Sequence, residues 1–63
     1  MWEVYHETDQ EWPYASRHTR CVTKAKAYAT ALADSAETGR LVAVHRNGIE
    51  IASFLRGKLV REC

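Results

Sequence analysis

Glycine, proline and cysteine are all scarce in this chain, with three, one and two residues among 63. Two cysteines, Cys21 and Cys63, are too few for a disulfide-stapled secreted scaffold. A bridge between them would need Cα atoms within about 7 Å, which a sequence does not report. The glycines stand singly at 39, 48 and 57, each where a turn is expected, so no glycine-rich phosphate loop is present. HExxH and the nucleophile elbow are absent as well. No apolar run approaches the ~20 residues of a membrane helix. The opening Met1-Trp2-Glu3-Val4 has neither the basic segment nor the apolar run of a signal peptide. The expectation is a cytoplasmic protein with two free thiols and no membrane partner.

What is there suits one small globular domain over residues 1–63. The hydrophobic fraction is 46% and the charged fraction 27%, ordinary for a folded protein and unlike a disordered one. A chain this short buries only about 60% of its unfolded surface, so its core is thin. Self-association is one way such a domain completes its core.

Net charge is +1, but the charges are segregated. Residues 1–12 carry Glu3, Glu7, Asp9 and Glu11 with no Lys or Arg. The stretch from there to Lys26 carries Arg17, Arg20, Lys24 and Lys26 with no acid. If these stretches pair as a hairpin, acids oppose bases and the field cancels. A phosphate-binding patch would require the bases to gather on one face.

Trp2, Val4 and His6 alternate with Glu3, Tyr5 and Glu7, the period of a strand. Thr8 to Glu11 suits a turn, and Trp12 to Arg20 reads as a second strand with Pro13 at its start. From Lys24 to about Thr38 there is no glycine or proline and alanine recurs, so a helix is expected. Thr23 serves as its N-cap and Gly39 as its left-handed stop. The expected apolar stripe is Ala25, Tyr28, Ala29, Leu32 and Ala36. Lys24 and Lys26 in the first turn, with Asp34 and Glu37 near the last, oppose the helix dipole.

Asn47-Gly48 between Leu41–Val44 and Ile49–Ala52 is the favoured two-residue hairpin turn, since both central residues must take positive φ. An unbroken register from it places His45 opposite Glu50, Val44 opposite Ile51, Ala43 opposite Ala52 and Val42 opposite Ser53. Val42, Val44, Ile49 and Ile51 would then face the helix. Leu41, Ala43, Ala52 and Phe54 would face away. Gly57 ends the fourth strand, and residues 58–63 are either a short extra strand or a tail. The fold class is therefore α+β, ββαββ, an antiparallel sheet of about four strands with one helix on one face.

No arrangement of residues points to catalysis, to a cofactor or to a metal. His18 and Cys21, with His6 or Cys63, supply only half of the paired short-spaced ligands that structural zinc uses. The surface left for function is the sheet face without a helix, where Tyr5, Leu41 and Phe54 are the candidate protein-contacting residues. The alternative is a nucleic-acid binder using Arg17, Arg20, Lys24, Lys26 and Arg46, which near-neutral net charge disfavours.

The order hairpin, helix, hairpin is joined by Thr23-Lys24-Ala25-Lys26-Ala27 and by Val44-His45-Arg46-Asn47-Gly48-Ile49. In these the chain resembles a family of short bacterial and phage proteins of unknown activity, with a Trp-Val opening, a TKxxA helix start and a Val-His-x-x-Gly-x-Ile hairpin. The likeness spans Trp2 to about Phe54. It departs at Thr8-Asp9-Gln10-Glu11, where that pattern has a glycine-containing turn. The resemblance implies the architecture and no activity. The function expected is thus a small non-enzymatic binding or regulatory module, phage-encoded or accessory. It would act through a protein partner, itself included as a homodimer.

Overall fold

The computed structural model describes residues 1–6 and 17–63, the side chains of Arg17 and His18 excepted. The turn expected at residues 8–11 and the strand start at residues 12–16 lie outside them. The elements run β1 (Trp2–His6), β2 (Arg17–Cys21), α1 (Lys24–Thr38), β3 (Val42–Arg46), β4 (Ile49–Leu55) and β5 (Lys58–Glu62). The strands form one antiparallel sheet in the order β2-β1-β3-β4-β5. The α+β class and the single helix are as expected. The last residues form a fifth strand rather than a tail.

Local chemistry explains each boundary. Thr23 caps α1, its hydroxyl accepting from the Lys26 N–H at 3.2 Å. Gly39 ends it at φ 71°, donating to the Ser35 carbonyl at 2.9 Å. Asn47 and Gly48 take φ of 54° and 78°, the pair of left-handed conformations the β3–β4 turn demands. Arg56 and Gly57 repeat this at 52° and 77° between β4 and β5.

The β3–β4 register differs from expectation at one point. His45 opposes Glu50 and Arg46 opposes Ile49, but Val44 opposes Ala52, Ala43 opposes Ser53 and Val42 opposes Phe54. Ile51 is therefore an extra residue on β4, a β-bulge. Because side chains alternate, the slip turns Ala52 and Phe54 to the helix side. Phe54 is 3% exposed and its ring meets Tyr28 edge-on, with centroids 5.5 Å apart. Its expected place on the helix-free face is corrected: it belongs to the core. Ile49, expected in that core, is 64% exposed at the hairpin tip.

The helix face is corrected too. Ala27, Ala31 and Ser35, at i, i+4 and i+8, are the fully covered residues, while Leu32 is 45% exposed. Small side chains let the helix backbone come close to the sheet, which a Leu-bearing stripe would hold off. The core is Val4, Cys21, Ala27, Ala31, Val42, Val44, Ala52 and Phe54, with Trp2 and Tyr28 packed against it. At the helix C-terminal end, the Ser35 hydroxyl accepts from the Gly57 N–H at 2.9 Å and donates to the Leu32 carbonyl at 2.9 Å. A Cβ built on Gly57 would lie 3.1 Å from the Ala36 Cβ, so the β4–β5 turn and the helix touch there.

Two of the four charges that oppose the helix dipole, Lys24 and Asp34, have local partners. The Lys24 ammonium lies 5.3 Å from the Tyr28 ring centroid. Asp34 Oδ2 lies 2.9 Å from Nε2 of buried His6 across the β1–α1 contact. That oxygen is within ion-pair distance, yet the contact does not meet hydrogen-bond geometry.

Two stability outcomes follow. A chain of this length has about 3–9 kcal/mol of folding free energy at typical per-residue values. Phe54→Ala is expected to remove about 3 kcal/mol or more, and Phe54→Leu about 1 kcal/mol, in urea unfolding. Ser35→Ala, which strands the Gly57 N–H, is expected to cost about 1–3 kcal/mol. Unchanged midpoints for the Phe54 variants would return that ring to the helix-free face.

Candidate functional site: the helix-free sheet face

The alternation of each strand, fixed by the register, assigns this face. Glu3 and Tyr5 of β1 lie on it, with Arg20 of β2, Ala43 and His45 of β3, Glu50, Ser53 and Leu55 of β4, and Lys58 and Arg61 of β5. Leu41, just before β3, is half-buried beside it. Tyr5 is half-buried and meets His45 edge-on, with centroids 4.7 Å apart. They are diagonal neighbours of adjacent strands, close enough for aromatic contact.

Two pairs of opposite charges lie on the face. Glu3 Oε2 lies 3.8 Å from Arg20 Nε, so this acid of β1 does oppose a base of β2. Glu50 Oε2 accepts from the buried Ser53 hydroxyl at 2.7 Å and lies 3.5 Å from Arg61 Nη1. The Ser53 hydroxyl thus donates to a carboxylate, and the imidazole of His45 packs edge-on to Tyr5. Between β3, β4 and β5 lies a depression of about 260 Å³ lined by Leu41, Glu50, Ser53, Val60 and Arg61.

Of the three candidate contact residues, Tyr5 and Leu41 are on or beside this face, and Phe54 is beneath the helix. The four candidate bases whose side chains are described divide between the two faces. Arg20 is paired with Glu3 on the helix-free face. Arg46 lies over the Trp2 ring, 5.0 Å from its centroid, at a register position on the opposite face. Lys24 is over Tyr28, and Lys26 is exposed in the first turn of α1. The Arg17 side chain lies outside the described residues.

The sequence reading missed Ser53, Val60 and Arg61. Their place depends on a second bulge: Ser53 opposes Arg61 and Phe54 opposes Leu59, leaving Val60 as an extra residue on β5. No glycine marks either bulge within its strand.

Among the described residues no group of three or more His, Cys, Asp or Glu side chains could hold a metal ion. Both thiols are free, Cys21 buried and Cys63 exposed. Among the described residues no helix is long and apolar enough to cross a membrane. No protein-family model, curated protein or solved structure matches the chain.

Tyr28, at the rim of the opposite face, donates its hydroxyl to Glu62 Oε2 at 2.9 Å. Burial first, and then the bond to Glu62 and the carboxylate charge, push its phenol above the ordinary 10.0, with Cys63 adding to this. The folded state therefore holds this proton more tightly than the unfolded chain does. The associated stability is full below pH 10 and is lost as pH rises through the folded value. Ultraviolet titration is expected to show one tyrosine ionising above 10.0, with Glu62→Gln bringing it down. A tyrosine titration identical in the two proteins would contradict the contact.

Proposed function

We propose that this chain is a non-enzymatic binding module whose helix-free sheet face docks a protein partner. The observation that carries the reading is the face itself. One helix covers one side of a five-stranded sheet. The other side presents Tyr5, Ala43 and Leu55, half-buried, with half-buried Leu41 at the wall of a depression. Protein interfaces are built in this way, with an apolar centre and a polar rim. Here polar groups are supplied by the Glu3–Arg20 pair on β1 and β2 and by the Glu50–Arg61 pair at the depression.

A cytoplasmic, reducing setting goes with two free thiols. The likeness to short bacterial and phage proteins brings no activity with it, and a regulatory or accessory role, phage-encoded included, is part of the same proposal. The nucleic-acid alternative is weakened by the dispersal of its bases over both faces and by the partners three of them have. Phosphate contacts supply most of such affinity and need cations that converge.

The test is affinity capture by the full chain against its Leu41→Glu variant, together with sedimentation of the chain alone. A defined partner held by the wild type and lost in the variant is expected, with no oligonucleotide binding at low salt. Sedimentation reports whether that partner is a second copy. Capture unchanged in Leu41→Glu, or tight oligonucleotide binding, would sink the reading.

A further inference from the structure

We infer that the depression between β3, β4 and β5 receives an extended acidic segment of the partner protein, seated by one apolar side chain. This rests on the helix-free face being the docking surface, and it names the chemistry of what docks there. The apolar part of the argument is the wall made by Leu41 and Val60. Val60 is 54% exposed on this edge strand and, as the extra residue of the β5 bulge, has no cross-strand partner. The volume of about 260 Å³ is several times the ~30 Å³ share of a water molecule, room for one aliphatic side chain.

Charge supplies the rest. Glu50 is the one acid lining the depression, and its Oε2 already takes the Ser53 hydroxyl and the Arg61 guanidinium. The Arg61 side chain is 72% exposed, and a guanidinium has five donors, so most of its capacity faces outward. Lys58 opposes Leu55 on this same face and is exposed. Arg61 therefore stands at the one engaged carboxylate, with Lys58 further along β5 on the same face, and a partner carboxylate meets donors there. A basic segment would meet both cations and an acid whose bonds are already made.

The experiment uses two fluorescein-labelled peptides against the full chain, Asp-Glu-Leu-Glu-Asp and Lys-Arg-Leu-Arg-Lys, read by anisotropy. The acidic peptide is expected to bind and the basic one not. Replacing the peptide leucine by glycine is expected to weaken binding at least about fivefold. Lys58→Glu and Arg61→Glu, both at exposed positions, are each expected to do the same. Lys26→Glu makes an equal charge change on the helix and is expected to leave binding as it is. Circular dichroism checks that all three variants keep the helix. Three results would each overturn the inference: no binding of the acidic peptide, equal binding of both peptides, or an equal loss in Lys26→Glu. If the inference fails while Leu41→Glu still releases the captured partner, the docking surface stands and only the partner's chemistry is wrong. If capture ignores Leu41→Glu, the docking surface itself falls.

Discussion

Side chains along a strand alternate with a period of two, so one additional residue reverses the facing of everything after it. Ile51 is that residue in β4. Before it, Glu50 pairs with His45 on the helix-free side, as an unbroken hairpin requires. After it, Ala52 and Phe54 turn inward and Ser53 turns outward. The core depends on this reversal. Among the described residues, apart from Trp2 and Tyr28 at its margin, Phe54 is the only large aromatic in the core, and without the bulge it would face away from the helix. The outward turn of Ser53 likewise lets its hydroxyl reach Glu50.

The helix is matched to the sheet so formed. Ala27 and Ala31 lie close over strands whose inward residues are mostly Val and Ala, and Phe54 fills the remaining space against Tyr28. Ser35 continues the small-residue line but adds a hydroxyl, which the β4–β5 turn uses by donating the Gly57 N–H. One fully buried polar group thereby ties the last turns of α1 to the far hairpin. The pairing of His6 with Asp34 ties the same end of the helix to β1. Both links span elements distant in sequence, as a thin core needs.

What was legible in the sequence was whatever is decided within a few residues. Thr23, Gly39 and Asn47-Gly48 act through their own backbone conformations, and each does what its residue type dictates. The alternation of Trp2, Val4 and His6 likewise set the facing of β1. Two things were not legible. The bulges carry no glycine or proline signal, because they answer to how the core fills rather than to local conformational preference. The buried helix face differs because the expected stripe followed apolar spacing through Ala25, Tyr28, Ala29, Leu32 and Ala36, while alanine recurs on opposite sides of this helix. Leu32 is the larger residue, but close approach to a sheet selects Ala27, Ala31 and Ser35. Of the candidate site, Tyr5 and Leu41 came from alternation upstream of the bulge, and Phe54 failed because it lies downstream.

The second bulge bears on which surface can serve a partner. A sheet offers its edges as well as its faces, and β5 is an edge strand whose five residues are all exposed. Edge addition needs a regular row of outward N–H and C=O groups, and charged residues and bulges interrupt it. β5 has both: Lys58, Arg61 and Glu62 along its length and the extra residue Val60 in its middle. The same irregularity that spoils the edge puts Val60 and Arg61 together at the depression on the helix-free face. One local distortion thus discourages a strand from adding to the sheet and furnishes the face with an apolar wall beside a guanidinium. That pairing is why the face, and within it the β4–β5 side, is the surface on which a partner is to be sought.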